Sequence, residues 1–180
     1  MPNLKGRQKD SFKLINKLLT SESPKLLTLR GLPGIGKSAL VASVLEYIDE
    51  RHLLKGGSIY INARNISSCE IFIRNFNQIL ISENPIIFGN AREHNMRQQE
   101  PIQTLNLILS KISIIEGDIL IVFDNVEEII SNERNELKML LSMMLTRVRH
   151  LKILLTTRYR LTSTVEFKED IIILNKLNNQ

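Results

Sequence analysis

The 180-residue sequence has no tryptophan, only 5% aromatic residues and a single cysteine, Cys69. One thiol cannot build an internal disulfide framework, so the fold does not depend on an oxidising compartment, and Cys69 is expected to serve packing rather than chemistry. So few aromatics leave no platform on which successive bases could stack. No uninterrupted apolar stretch reaches the roughly 20 residues of a membrane-spanning helix, and the opening MPNLKGRQKDSFKLINKLL lacks the apolar centre of a signal peptide. The expectation is a cytoplasmic chain with no membrane partner. Basic residues outnumber acidic ones, 24 to 19, for a formal charge of +5. They are interleaved with acids and form no long basic run, so no nucleic-acid partner is expected on this reading. What is abundant is apolar material, 43% of the chain. That is enough to bury one sizeable core, and residues 1–180 are expected to form a single domain.

Hydrophobic periodicity supplies the order of elements. Phe12, Ile15, Leu18 and Leu19 recur at helical spacing from about Asp10, and SESP at Ser21 to Pro24 stops that helix. Residues 1–24 thus read as a leading helix and linker. The short apolar run Lys25 to Arg30 suits a parallel strand buried on both faces. A helix from Lys37 to Asp49 and a strand from Ser58 to Asn62 follow. Ser67 and Glu70 stand at capping-box spacing and open a helix through about Leu80. Ser82 to Glu100 is polar and reads as an exposed excursion. A helix over Ile102 to Ile115, a strand over Asp118 to Asp124 and a helix over Glu133 to Val148 come next. Arg147, Arg149 and His150 stand where positive charge favours a helix C-terminus. Leu151 to Thr157 and Asp170 to Leu174 complete five strands. Strands alternating with helices predict an α/β sandwich around a mainly parallel sheet.

One string carries specific chemistry. Gly31 to Ser38 spell GLPGIGKS, the G-x-x-x-x-G-K-[ST] phosphate loop, where a strand ends and a helix begins. The glycines let the backbone curl until its N–H groups point inward, and the helix start adds a positive dipole end. Gly31, Pro33, Gly34, Ile35, Gly36, Lys37, Ser38 and Ala39 are therefore candidate contacts to the phosphates of ATP or ADP. Lys37 would bridge the outer phosphates as a point charge, and the Ser38 hydroxyl would ligate Mg²⁺. ILIVFDN at Ile119 to Asn125 brings a second candidate, since Asp124 can reach the same metal from a neighbouring strand. Glu127 and Glu128 follow within a turn. Either could orient water, with Glu127 favoured, and both read equally well as solvated acids at a helix start. In TTRYR at Thr156 to Arg160, just past the LKILL strand, Thr157 and Arg158 can approach the phosphates, because ligands of open parallel sheets sit beyond the carboxyl ends of the strands.

Taken in order, LKGRQKDSFKLINKLL, TLRGLPGIGKSALV, GGSIYIN, ILIVFDNVEEI and LKILLTTRYR resemble the nucleotide-binding core of the STAND-class P-loop ATPases, in particular NB-ARC domains. The resemblance implies a three-layer P-loop NTPase sandwich related to AAA ATPases, with a five-stranded sheet ordered 5-1-4-3-2. It makes Gly6 and Arg7 nucleotide-pocket residues beside the adenine, and Arg158 a sensor of the γ-phosphate. Asp124, Glu127 and Arg158 then form the catalytic set. Many members carry a second aspartate where this chain has Asn125, which implies slow hydrolysis. The implied role is a nucleotide switch that acts through self-association or a signalling protein partner. The family's helical lid and winged helix find no counterpart in this sequence. Two rivals stand beside this reading: a non-hydrolysing nucleotide-binding interaction domain, and an initiator-type AAA+ ATPase acting on DNA.

Overall fold

A computed structural model describes residues 4–20, 25–83, 85–88, 100–161 and 168–176. Five apolar runs form one sheet: β1 (Leu26–Gly31), β2 (Ser58–Asn62), β3 (Ile119–Asp124), β4 (Leu151–Thr157) and β5 (Glu169–Leu174). Their spatial order is β2-β3-β4-β1-β5, and every neighbouring pair is parallel. This is the 5-1-4-3-2 order that the motif resemblance implies, read from the other edge. Parallel neighbours need crossover connections, and helices supply those between β1 and β4. Helix α1 (Gln8–Leu19) precedes β1, and α2 (Lys37–Glu50) joins β1 to β2. Between β2 and β3 run α3 (Cys69–Glu83), α4 (Pro85–Phe88) and α5 (Pro101–Ser113). Helices α6 (Glu127–Asn132) and α7 (Arg134–Arg147) lie between β3 and β4.

The strand alternation divides the core between the two faces of the sheet. Ile119, Ile121 and Phe123 of β3 pack with α3, α5 and α7, whereas Leu120 and Val122 pack with α1 and α2. Both faces of β3 are therefore buried, which is why ILIVFD reads as continuous rather than alternating. Phe123 meets Phe72 of α3 edge-on, with ring centroids 4.7 Å apart. On the opposite face α1 is stapled to the sheet. Lys152 of β4 is buried and donates to the carbonyls of Leu18 at 2.7 Å and Thr20 at 3.1 Å, while Lys17 pairs with Asp170 of β5. The result is three layers, with the carboxyl ends of all strands on one edge.

Local details depart from the sequence reading where distant residues intervene. The capping box expected of Ser67 and Glu70 does not form. Ser68 Oγ accepts the Ile71 N–H at 3.3 Å instead, and Glu70 pairs with Arg74 at 2.9 Å. The acid that serves the helix start is Glu133, 64 residues on, whose carboxylate accepts the Cys69 N–H at 2.7 Å. Cys69 itself is buried, and burial with the nearby Glu133 pushes its thiol up to about 12. His150 does not cap α7: its Nε2 is buried without a hydrogen-bond partner among the described residues, and Arg147 reaches Asn106 of α5 at 2.6 Å. Within the excursion, Phe88 is buried rather than exposed, and Lys111 donates to its carbonyl at 2.9 Å. Residues 84 and 89–99 of that segment lie outside the described residues. Among the described residues no helix is long and apolar enough to cross a membrane.

Candidate functional site

Strand β1 ends at Gly31 and α2 begins at Lys37, so the intervening loop turns at the carboxyl edge of the sheet. Gly34 and Gly36 hold φ of 70° and 97°, and a Cβ at either would meet nothing within 4 Å. The backbone angle, not space, demands glycine there. Gly31 is needed for the other reason, since its Cβ would lie 3.0 Å from the Leu174 carbonyl at the end of β5. No side chain caps α2, and its first residues Lys37, Ser38 and Ala39 line a cleft of about 450 Å³ together with Pro33, Gly34 and Gly36. An uncapped helix start of this kind offers N–H donors and positive dipole to an anion. The volume falls in the range of about 300–1,000 Å³ typical of small-molecule sites.

Lys37 is buried, and its ammonium donates back to the carbonyls of Gly31 at 3.0 Å and Leu32 at 3.3 Å. Burial holds its pKa below the ordinary 10.5, with Glu127 pulling it up, Arg158 pulling it down and Asp124 pulling it up again. Glu127, at the start of α6, is buried in the cleft wall and its Oε1 stands 3.7 Å from Nε of Arg158. Arg158 follows β4, is exposed, and lies over the Tyr159 ring at 5.6 Å. Glu128 also lines the cleft but is exposed. Of the two glutamates weighed from the sequence, Glu127 is thus the one set among the cations.

Asp124 is buried behind Asn125 rather than in the cleft lining. Its carboxylate accepts hydrogen bonds from Tyr60 Oη at 2.7 Å, from Asn125 Nδ2 at 3.1 Å and from the Thr156 hydroxyl. Burial, and then the bond to Asp124, raise the pKa of Tyr60 above that of an ordinary phenol. Asn125 adopts φ of 64°, a left-handed conformation asparagine tolerates, and its N–H reaches Thr156 Oγ1 at 2.9 Å. Three donors use three of the carboxylate's roughly four acceptor directions, leaving one. Among the described residues no cluster of three or more His, Cys, Asp and Glu could cage a metal. With Glu127 beside Arg158 and Glu128 exposed in the lining, the donors assigned to a metal are one carboxylate, Asp124, and one hydroxyl, Ser38. That set fits Mg²⁺, which is held by one or two carboxylates with ligand phosphates rather than by an all-protein cage.

Four of the expected contacts are absent from the lining of this cleft: Gly31 and Ile35 of the loop, and Gly6 (φ 77°) and Arg7. Arg7 is buried and grips the loop from behind, through Ile35 O at 2.9 Å, Asn175 O at 2.7 Å and Asp10 at 3.0 Å. Four residues at the site were not foreseen: Tyr60, Thr156, Arg64 and Asn65, the last two lining the cleft from the loop after β2. The rule that leads to Arg158 applies equally to that loop, since β2 ends on the same edge of the sheet.

The family model described as nephrocystin 3, N-terminal, matches residues 8–158. No curated protein sequence matches the chain. Solved structures share its fold. Drosophila ORC bound to DNA matches with a TM-score of 0.66 at 16% identity, over 96% of this chain and 44% of that one. Aeropyrum pernix ORC1 in complex with DNA gives 0.64 at 20%, over 95% and 46%. Aeropyrum pernix ORC2, in ADPNP-ADP complexes, gives 0.61 at 18%, over 87% and 42%. The chain spans less than half the length of these proteins, and at such identities they share the P-loop fold alone. The finer NB-ARC assignment continues to rest on motif resemblance. The expectation against nucleic acid is corrected here, because two of these neighbours are complexes with DNA. Its weakness is physical: a run of cations in sequence is not the same as a cationic surface. Lys37, Arg64 and Arg158 are far apart in the chain and meet in one cleft.

Proposed function

The chain belongs to the nephrocystin 3 N-terminal family, and from that premise we propose that it binds ATP or ADP with Mg²⁺ in the cleft beyond β1, β3 and β4, hydrolyses ATP slowly, and serves as the nucleotide switch of a STAND-type protein. One observation carries this reading. A single cleft gathers Lys37 and Ser38 from an uncapped helix start, Glu127 from the start of α6 after β3 and Arg158 from the loop after β4. The N–H groups of Gly34 to Ala39 would receive the inner phosphates. Lys37 would exchange its two carbonyl partners for phosphate oxygens, and Arg158 would turn from Glu127 to the terminal phosphate. Ser38 and Asp124 are the residues that would hold Mg²⁺, whose role when bound is to neutralise charge on the phosphate oxygens. Glu127 remains to orient the attacking water. Asn125 presents an amide where a second carboxylate would act as a base, which supports slow turnover.

Calorimetric titration with ATP and ADP, with and without Mg²⁺, tests the reading, together with phosphate release under single-turnover conditions. Binding in the micromolar range and a rise in melting temperature are expected, since ligand at a hundred times its Kd stabilises a fold by about 2.7 kcal/mol. No heat and no thermal shift at millimolar nucleotide would remove it. A second reading is favoured by the DNA complexes among the structural neighbours: the same nucleotide site would govern engagement of DNA. Fluorescence polarisation of a labelled duplex, at low and high salt and with and without ATP, tests it. Salt-dependent binding altered by ATP supports the reading, and no binding at low salt removes it.

A further inference from the structure

The loop between β2 and α3 forms a wall of the cleft that the phosphate-loop motif does not account for. Its stems are the buried Ala63 and Ile66, and the Ile66 N–H donates to the Ala63 carbonyl at 3.2 Å. Arg64 and Asn65 are the central pair of this four-residue turn, with Asn65 at φ of 63°. A positive φ at the third position is the type II arrangement, for which asparagine is suited after glycine. Two further bonds fix the turn. Asn62 Oδ1 accepts the Arg64 N–H at 3.0 Å, and the Ala63 N–H donates to the carbonyl of Asp124 at 2.7 Å. The tip is thereby locked to the end of β3, and it lines the cleft opposite Lys37 and Ser38.

Arg64 differs from the other two cations of the cleft. Lys37 is engaged by loop carbonyls and Arg158 stands 3.7 Å from Glu127. The Arg64 guanidinium has no hydrogen bond or ion pair among the described residues, and it is exposed. Strand order sets what it can reach. β2 is three places from β1 in the sheet, about 14 Å at ordinary strand spacing, so the turn meets only a part of the ligand directed from the phosphate loop across β4 and β3. On the site reading above that part is the terminal phosphate, the end set against Arg158 and Glu127, and a diphosphate lacks it. Glu127 and Glu128 in the same wall oppose the added negative charge, and a planar guanidinium that can pair two phosphate oxygens offsets them.

We propose that Arg64 is a specificity-determining residue that contacts the terminal phosphate and gives the site its preference for ATP over ADP; this rests on the nucleotide-site reading above. The test is calorimetric titration of ATP and of ADP, both with Mg²⁺, into the unmodified chain, Arg64→Ala and Arg64→Lys. Arg64→Ala should lose roughly tenfold in ATP affinity, the loss of one charge-assisted contact, and less than about twofold in ADP affinity. Arg64→Lys should fall between, because charge returns without the fork. An unchanged ratio of ATP to ADP affinity in Arg64→Ala, with an unchanged melting temperature, overturns the assignment, and so does an equal loss for both nucleotides. Loss of duplex DNA binding with that ratio intact would also overturn it, giving Arg64 to nucleic acid. If the unmodified chain binds neither nucleotide, the underlying site reading falls and this assignment falls with it.

Discussion

Two lysines are buried at opposite ends of the sheet, and they are held in opposite ways. Lys152, at the amino edge, is 8% exposed and bonds the carbonyls of Leu18 and Thr20, more than 130 residues away in sequence. Lys37, at the carboxyl edge, is 7% exposed and bonds only carbonyls five and six residues back in its own loop. The first ties two elements together and closes the end of a helix whose last carbonyls need donors. The second joins nothing that the chain does not already join. An ammonium kept out of water on such local partners is available to exchange them for a ligand. Burial alone therefore does not separate a structural lysine from a binding one; the sequence distance of its partners does.

The contrast can be broken most sharply at Lys37. Lys37→Ala should lower nucleotide affinity by about a hundredfold or more, two charge-assisted contacts being lost, with little change in melting temperature. Calorimetry beside a thermal melt reads both. The mirror experiment is Lys152→Met, which leaves two carbonyls without a donor. A loss of about 1.5–3 kcal/mol is expected, or roughly 4–10 °C in melting temperature, while nucleotide affinity of the folded protein stays the same. Equal effects of the two substitutions on stability would erase the distinction.

Much of this architecture is legible without coordinates. The bounds of β2 and β4 follow from Ser58 to Asn62 and Leu151 to Thr157 as read, because short apolar runs between breakers leave little choice of register. The loop glycines are equally plain, each serving a backbone angle or a close approach. What escaped the sequence depends on partners far along the chain. Glu133 takes the Cys69 N–H, displacing the expected Ser67–Glu70 box, and no local spacing records that pairing. Tyr60 reads as an ordinary strand aromatic, yet its hydroxyl bonds Asp124 of the neighbouring strand. Arg64 carries no motif at all, and only the strand order brings its turn to the cleft.

Smaller effects sharpen the comparison further. Tyr60→Phe removes one of three donors to Asp124, so the Mg²⁺ concentration giving half-maximal ATP binding should shift by a few-fold, while ADP binding without metal is unchanged. Asp124→Asn should shift it further in the direction of weaker binding. A titration of Mg²⁺ at fixed ATP distinguishes the two, and equal losses with and without metal would make Asp124 purely structural. The smallest signal is a proton. Burial depresses the pKa of Lys37 below 10.5, so between its folded and unfolded values the unfolded chain holds more protons, and stability rises with pH across that window. A phosphate beside the ammonium raises the pKa again, so binding in alkaline buffer should take up protons. Calorimetry in two buffers of different ionisation enthalpy measures the uptake, which Lys37→Arg should abolish.

The way α1 is fastened has a consequence for how the chain acquires its shape during synthesis. Lys17 bonds Asp170, Leu18 and Thr20 receive Lys152, and Arg7 reaches Asn175 while holding the loop at Ile35. Helix α1, made before β4 and β5, is therefore among the last elements to be secured, since its anchors come from those strands. Contacts this remote in sequence bring high closure cost and slow assembly. The glycine loop, translated early, stays without its rear support until β5 is made. Nascent chains arrested before Leu151 should accordingly leave Gln8 to Leu19 open to protease, and chains extended past Asn175 should protect it in a single step.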